Sequence, residues 1–187
     1  MTPRTRSALV VGAVVATLAL PFALGTGLHV SGWHPDAGGP NGRLIEPPQA
    51  LPAKGLVGPD GAPLPTASLH GHWWLLLAGH GPCEKDCLER ADEMRRIHTA
   101  LNRDMARLRR MLVTDGPLAG TEGLRAAQPD LVVAHADTAW SDALDTRELR
   151  YYVIDPQARV MLRYPADVQP AAVFADLAKL LRYSWSG

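Results

Sequence analysis

An excess of charge of either sign is absent from this 187-residue chain, which has 19 basic and 19 acidic residues. Nucleic-acid-binding proteins need a basic surplus to neutralise phosphates, so nothing here predicts a nucleic-acid partner. The glycine-rich phosphate-binding motifs, the HExxH zinc motif and the GxSxG nucleophile motif are also missing. Internal repeats are absent as well. The length therefore leaves room for one ordinary domain with appendages.

Cysteine is scarce, and both cysteines lie in one short stretch, GHGPCEKDCLER (79–90). Cys83 and Cys87 follow a Gly/Pro turn and precede a charged amphipathic run. Two cysteines four residues apart fit a structural disulfide, a redox pair or two soft ligands for a metal ion. The compartment of the domain bears on the choice, because free thiols are oxidised outside the cytoplasm unless a reductant or a metal protects them.

Charged residues are missing from residues 7–30, a run long enough to cross a bilayer as a helix. Arg4 and Arg6 precede the run and no basic residue follows it closely, which predicts a cytoplasmic N-terminus. We therefore expect residues 1–30 to form a short stub and a single-pass anchor in the inner membrane, with the remainder in the periplasm. A cleaved signal peptide is the alternative, and it also exports the remainder.

Residues 31–53 are rich in proline and glycine and lack hydrophobic periodicity, so we predict a linker there and a folded domain over 54–187. GLVGPDGAPLP, at the start of that domain, predicts a small hairpin or an extended segment around its Pro-Asp-Gly turn. The run HWWLLLAG (72–79) is apolar throughout, which is typical of a strand buried on both faces.

From Cys83 onwards the apolar residues recur every three or four positions, which predicts one long amphipathic helix. Its stripe comprises Cys87, Ala91, Met94, His98, Leu101, Met105, Leu108 and Met111. A second strand is expected with its core at 111–114, a third within 129–137, then a hairpin around residues 155–158 and a closing helix. This order is that of an α/β protein, a thioredoxin-like sandwich with an N-terminal transmembrane helix.

Reactive cysteines are expected where the buried strand passes into the helix. A helix start carries unpaired N–H groups and a partial positive charge, which stabilise the thiolate of Cys83 or Cys87. One helical turn also brings the two residues within disulfide range. A purely structural disulfide would contribute little, because the loop that it closes is very short. The thiolate form both attacks disulfides and binds Cu(I).

The stretch LHGHWWLLLAGHGPCEKDCLERADEMRRI resembles the SCO/SenC family of membrane-anchored, thioredoxin-like copper proteins. Gly71, Trp73, Gly79, Cys83 and Cys87 occupy the family's positions, and YYVIDPQARVMLRYP matches its strand–Asp-Pro–strand hairpin. The resemblance implies a factor that helps to assemble the copper site of cytochrome c oxidase, with an oxidase subunit or another assembly factor as partner. It implies that Cys83 and Cys87 are either Cu(I) ligands or a redox dithiol.

The sequence is a divergent member in two respects. The family's Cys-Pro-x-x-Cys-Pro loop reads CEKDCL here, and its histidine ligand is missing from DALDTRELRYY (142–152), where the resemblance would place it. His135, at the end of a predicted strand, and His80, three residues before Cys83, are the candidate substitutes for the third copper ligand.

Three hypotheses therefore stay open. The chain is an SCO-like assembly factor that handles Cu(I) or reduces thiols, a thiol–disulfide oxidoreductase of the same fold, or a scaffold module with a structural disulfide and no metal. All three place the decisive chemistry at Cys83 and Cys87.

Overall fold

The computed structural model describes residues 13–23, 26–27 and 40–184. The chain divides into two units, Met1–Gly39 and Pro40–Gly187. In the first unit, residues 13–23 and 26–27 are helical and exposed. Across the described ranges, none of the helices has both the length and the apolar character needed to cross a bilayer. The remaining residues of the predicted anchor lie outside the described part of the chain.

The second unit is built on one mixed sheet. Its strands are β1 (Arg43–Ala50), β2 (Leu56–Val57), β3 (Pro63–Leu64), β4 (Trp73–Gly79), β5 (Leu108–Thr114), β6 (Leu131–Ala136), β7 (Arg150–Ile154) and β8 (Arg159–Arg163). Its α-helices are α1 (Lys85–Ala100), α2 (Glu122–Ala127), α3 (Thr138–Leu144) and α4 (Pro170–Tyr183), and 3-10 turns span Thr66–Leu69 and Asn102–Arg107. Helices α2 and α3, which sequence periodicity did not reveal, have only 6 and 7 residues.

The strand order is β1-β8-β7-β4-β5-β6-β2-β3, which places β4 inside the sheet. β4, β5 and β6 are parallel, with Leu77 opposite Leu112 and Leu112 opposite Val133, and the other neighbours are antiparallel. The structure confirms the predicted buried strand and the predicted hairpin β7–β8. Of the two forms predicted for the entry segment, it shows the hairpin, β2–β3. In the β7–β8 turn the Asp155 carboxylate accepts the N–H groups of Gln157 and Arg159, both at 2.9 Å.

Successive residues of a strand point to opposite faces of the sheet, and both faces of this sheet are apolar and covered by helices. Leu77 of β4 belongs to one core cluster with Met94 of α1 and Leu177 of α4. Leu76, its neighbour in β4, belongs to a second cluster with Trp140 of α3. Burying each of these leucine and methionine side chains stabilises the fold by about 1.5–3 kcal/mol. The result is the three-layer α/β arrangement that the sequence predicts.

Part of the segment predicted as a linker is instead a strand. Residues 43–50 form β1, which pairs with β8 at the edge of the sheet, with Arg43 opposite Arg163. The buried Asp176 carboxylate of α4 accepts the N–H groups of Asn41 and Gly42, both at 3.0 Å. The proline and glycine content concealed this strand, because an edge strand tolerates residues that an inner strand excludes.

The long helix is shorter than its apolar stripe suggested. α1 ends at Ala100, and Asn102 has a left-handed φ of 49°, which breaks the helical path. Leu108 and Met111, predicted on the helical stripe, lie in β5 and are buried there. The apolar residues at the start of β5 continue the three-to-four-residue spacing of α1. Periodicity alone therefore did not show where the helix ends and the strand begins.

Candidate functional site

The site lies where β4 ends and α1 begins. Every residue of β4 is buried, and the strand stops at Gly79, where an added Cβ would lie 2.7 Å from Leu149 Cδ1. The following turn contains Gly81 with a left-handed φ of 72°, a conformation that favours glycine. The absence of a side chain at Gly79 thus lets the loop before β7 pack closely against the turn that leads to Cys83.

Cys83 and Cys87 form a disulfide with their Cα atoms 5.1 Å apart. Cys83 lies just before the N-cap residue Glu84, whereas Cys87 lies in the first turn of α1. The first helical hydrogen bond runs from the Leu88 N–H to the Glu84 carbonyl at 2.9 Å. The pair therefore straddles the start of the helix, where the partial positive charge of the backbone favours a thiolate in the reduced state.

Asp115, which directly follows β5, fixes the turn before the cysteines. Its carboxylate accepts the Gly81 N–H at 2.8 Å and the Thr146 hydroxyl at 3.0 Å, and it contacts His80 Nδ1 at 2.9 Å. Burial by itself raises the pKa of Asp115, but the hydrogen bonds from His80, Gly81 and Thr146 together hold that pKa below its usual value. An ionised Asp115 therefore joins the two loops that flank the disulfide.

A second contact brings the β5–α2 loop against the same turn. Gly116 lies so close to Gly81 that an added Cβ would be 2.1 Å from the Gly81 carbonyl carbon. The Thr114 hydroxyl donates to the Gly81 carbonyl and accepts the Gly116 N–H at 3.1 Å. The backbone ahead of Cys83 is thus held from two sides.

Both cysteines open onto one cleft of about 360 Å³. The cleft is lined by the turn after β4, the first turn of α1, the end of β5 and the loop before β7: Gly79, His80, Gly81, Pro82, Cys83, Glu84, Lys85, Asp86, Cys87, Leu112, Val113, Thr114, Arg147 and Leu149. Arg147 Nε donates to Asp145 Oδ1 at 2.6 Å, and this bond lowers the pKa of Asp145. The Arg147 side chain is itself 87% exposed, so the cleft has a cation at its rim.

The two candidate histidines differ in position. His80 lines the cleft together with the cysteines, although its side chain is 73% exposed and its Nδ1 is engaged by Asp115. His135 does not line the cleft. Its Nδ1 lies 3.0 Å from the Gly116 carbonyl oxygen, in the loop after β5.

Among the residues that the structure describes, no third metal donor is grouped with the two sulfurs. Over the described ranges, 13–23, 26–27 and 40–184, no three His, Cys, Asp or Glu side chains come close enough together to hold a metal ion. Reduced Cys83 and Cys87 would offer two soft donors, which fits Cu(I) only in its lowest coordination numbers. The arrangement fits thiol chemistry without any additional residue.

Sequence reasoning missed Asp115, Thr146 and Arg147. A signal for Asp115 existed, since a carboxylate directly after a parallel strand lies at the sheet edge where sites form. Thr146 and Arg147 lie in the stretch before β7, residues 142–152, that lacks the expected histidine. Nothing in the local sequence reveals that this loop packs against the turn after β4, because the contact is made between residues far apart in the chain.

The disulfide lies beside a cleft, at the start of the helix that follows an inner β-strand. This placement is typical of thioredoxin-like proteins with a pair of active-site cysteines. A family model described as "Transmembrane-like, thioredoxin-like, C-terminal domain" matches residues 73–184. The match spans more than half of the chain, and the chain belongs to this family. Among curated proteins, none matches the chain significantly.

Solved structures with the same fold include copper-bound ScoI from Arabidopsis thaliana, with a TM-score of 0.58 at 13% identity over 72% of this chain and 100% of that chain. Apo Sco1 from Thermus thermophilus has a TM-score of 0.58 at 18% identity over 76% of this chain and 95% of that chain. A thiol:disulfide interchange protein from Bacteroides sp. has a TM-score of 0.51 at 11% identity over 74% and 91%. These likenesses confirm the predicted thioredoxin-like fold and the resemblance to SCO/SenC proteins in that fold.

Proposed function

We propose that the protein is an SCO-like factor that exchanges thiols and disulfides with a partner through Cys83 and Cys87. The observation that carries the proposal is the Cys83–Cys87 disulfide at a cleft beside the start of α1. The disulfide closes a loop of only three intervening residues, so it constrains the unfolded chain little. A bond with so small a structural benefit, placed at an accessible cleft, is better suited to opening and closing.

The partner is proposed to be a protein with a pair of cysteines that must be kept reduced or be oxidised in turn. Likeness in fold to Sco proteins favours a respiratory oxidase subunit, or another factor in the assembly of its copper site, as that partner. The likeness to a thiol:disulfide interchange protein supports the same chemistry with a broader choice of partner.

The site of action is proposed to be the periplasmic face of the inner membrane. The support comes from the N-terminal sequence, in which Arg4 and Arg6 precede an uncharged run over residues 7–30. An oxidising compartment agrees with the disulfide, because such bonds persist outside the cytoplasm.

The reduction potential of the cysteine pair tests this proposal. The full chain is equilibrated with glutathione buffers of graded potential, quenched with acid and alkylated, and the fraction of disulfide is read by mass spectrometry. We expect a potential above about −300 mV, because the bond must be opened by a biological thiol. A value well below that limit, as inert structural disulfides have, would contradict the proposal. Cys83→Ser, which cannot form the bond, supplies the baseline for alkylation.

Delivery of Cu(I) is the second candidate function, favoured by the likeness in fold to a copper-bound Sco structure. Copper would be cargo, held by the thiolates of Cys83 and Cys87 in the reduced protein. His80 is the better-placed third donor, since it lines the cleft and His135 does not.

A Cu(I) titration of the reduced full chain against a competing chelator tests the copper hypothesis. One bound equivalent that is lost in Cys83→Ser would support it, and absence of binding would remove it. His80→Ala should weaken binding if the imidazole is a ligand. His70→Ala is the matched control, because His70 is exposed and does not line the cleft.

A further inference from the structure

The two sulfurs of the disulfide are not equally open to a partner. Cys83 is only 6% exposed and belongs to the core cluster that contains Ala91 and Leu112, whereas Cys87 is half-buried and packs on the outside of that cluster. In thiol–disulfide exchange, access to the attacked sulfur helps to set the rate. The cysteine nearer the N-terminus is therefore the sheltered one.

The backbone around Cys83 is also the more constrained. Gly81, two residues earlier, is held by the Asp115 carboxylate and the Thr114 hydroxyl and lies in close contact with Gly116. An added Cβ at Gly120, in the same loop as Gly116, would lie 4.0 Å from the Cys83 carbonyl oxygen. The β5–α2 loop thus lies over the Cys83 backbone.

Cys87 has the better setting for a reacting thiolate. It lies in the first turn of the 16-residue helix α1, ahead of the first residue whose N–H closes a helical hydrogen bond, Leu88. Cys83, in contrast, lies before the N-cap residue Glu84 and so outside the helix. The first turn of a helix stabilises a thiolate over the thiol.

From this asymmetry we infer that Cys87 is the sulfur that bonds to the partner and that Cys83 is the resolving sulfur. The inference rests on the proposed function. The attacking sulfur must approach along the S–S line, on the far side of the sulfur that it attacks. Cys87 is the more exposed of the two residues and leaves more room for such an approach, whereas Cys83 is 6% exposed and is packed within the core cluster.

The exchange then runs in two balanced steps. A partner thiolate attacks Cys87 Sγ, a bond forms between the partner sulfur and Cys87, and the Cys83–Cys87 bond breaks with its electron pair left on Cys83 as a thiolate. A second partner thiolate attacks the partner sulfur of this mixed disulfide and releases Cys87 as a thiolate. The partner dithiol loses two electrons and becomes a disulfide, and the protein gains them. In the opposite direction, reduced Cys87 attacks a partner disulfide and Cys83 resolves the product.

Glutathione serves as the probe for the first step. The oxidised full chain is mixed with reduced glutathione, quenched with acid within the first turnover, alkylated and digested with trypsin. Lys85 lies between the two cysteines, so cleavage after it separates Cys83 from the short peptide 86–90 that contains Cys87. We expect at least about tenfold more glutathione on the Cys87 peptide than on the Cys83 peptide.

Two outcomes distinguish a wrong assignment of Cys87 from a failure of the proposed exchange function. Glutathione found equally or mainly on the Cys83 peptide would overturn the assignment of Cys87 and leave the exchange function intact. Glutathione on neither peptide, with the disulfide still closed, would overturn both.

Single-cysteine variants give an independent measurement in the reverse direction. Reduced Cys83→Ser, which keeps Cys87, should form a mixed disulfide with oxidised glutathione at least about tenfold faster than reduced Cys87→Ser. Equal rates, or a faster reaction at Cys83, would overturn the assignment. The wild-type peptide map decides the question if either variant fails to fold.

Discussion

Replacing Asp115 with asparagine should loosen the turn that carries the cysteines. The wild-type carboxylate accepts the Gly81 N–H and the Thr146 hydroxyl and contacts His80. Hydrogen bonds to a charged group contribute about 1.5–3 kcal/mol and neutral ones about 0.5–1.5 kcal/mol, so each of the two better-shielded bonds weakens by about 1 kcal/mol. The His80 side chain is 73% exposed, so its contact with Asp115 adds little.

Asparagine also has one acceptor oxygen where aspartate has two. If that oxygen keeps the Gly81 N–H, the buried Thr146 hydroxyl faces an amide NH2 group, and its hydrogen loses its acceptor. An unsatisfied donor costs about 1–3 kcal/mol. With partial relaxation of the loops, we expect the free energy of unfolding to fall by about 2–4 kcal/mol at pH 7. For a domain of this size that corresponds to a decrease in Tm of roughly 6–12 °C.

The effect should depend on pH with a definite sign. The pKa of Asp115 is lowered in the folded protein from the ordinary value of 3.8, so its contribution is fully present above that value and is lost as the pH falls through the lower, folded value. Urea unfolding of the full chain, followed by tryptophan fluorescence, measures the difference between wild type and variant. The difference should be largest near pH 7 and should narrow as the pH falls below 3.8 and the wild-type carboxyl group also becomes protonated.

Asp92→Asn is the matched control for this experiment. The Asp92 side chain is 52% exposed and pairs with Arg96 at 3.4 Å on the surface of α1. Its replacement should change the free energy of unfolding by less than about 0.5 kcal/mol. The reasoning about Asp115 is refuted if Asp115→Asn behaves like this control, or if its full destabilisation persists in acid.

Further substitutions test the core, the close backbone contact and the buried cation. Leu77→Ala, at a position with no exposure, should reduce the free energy of unfolding by about 2–5 kcal/mol in the same urea assay, and a loss below about 1 kcal/mol would contradict the packing described. Gly116→Ala should cost about 1–3 kcal/mol, because its Cβ would lie 2.1 Å from the Gly81 carbonyl carbon; a neutral result would mean that the contact is not tight. Asp130→Ala should cost about 1–3 kcal/mol, because Arg110 is 2% exposed and loses its carboxylate partner at 2.8–2.9 Å. That loss should disappear below the lowered pKa of Asp130, and a loss that is constant with pH would count against the ion pair.

Much of the fold follows from local patterns. The apolar run of β4, the hairpin β7–β8 and helix α4 are each marked by composition or by a turn residue such as Pro170 or Asp155. Sequence patterns gave wrong predictions where tertiary contacts decide the secondary structure. β1 is a strand because it pairs with β8, and α1 ends at Ala100 although the apolar spacing continues into β5.

The sequence by itself determined the chemistry that is possible: two cysteines four residues apart, placed between a buried strand and an amphipathic helix. It also determined that the histidine expected before β7 is missing. Only the tertiary structure decided that the Asp115 and Thr146 loops meet at Gly81, that Arg147 borders the cleft, and that Cys83 is more buried than Cys87. Exposure and contact depend on which distant segments pack together, and periodicity along the chain contains no record of those distances.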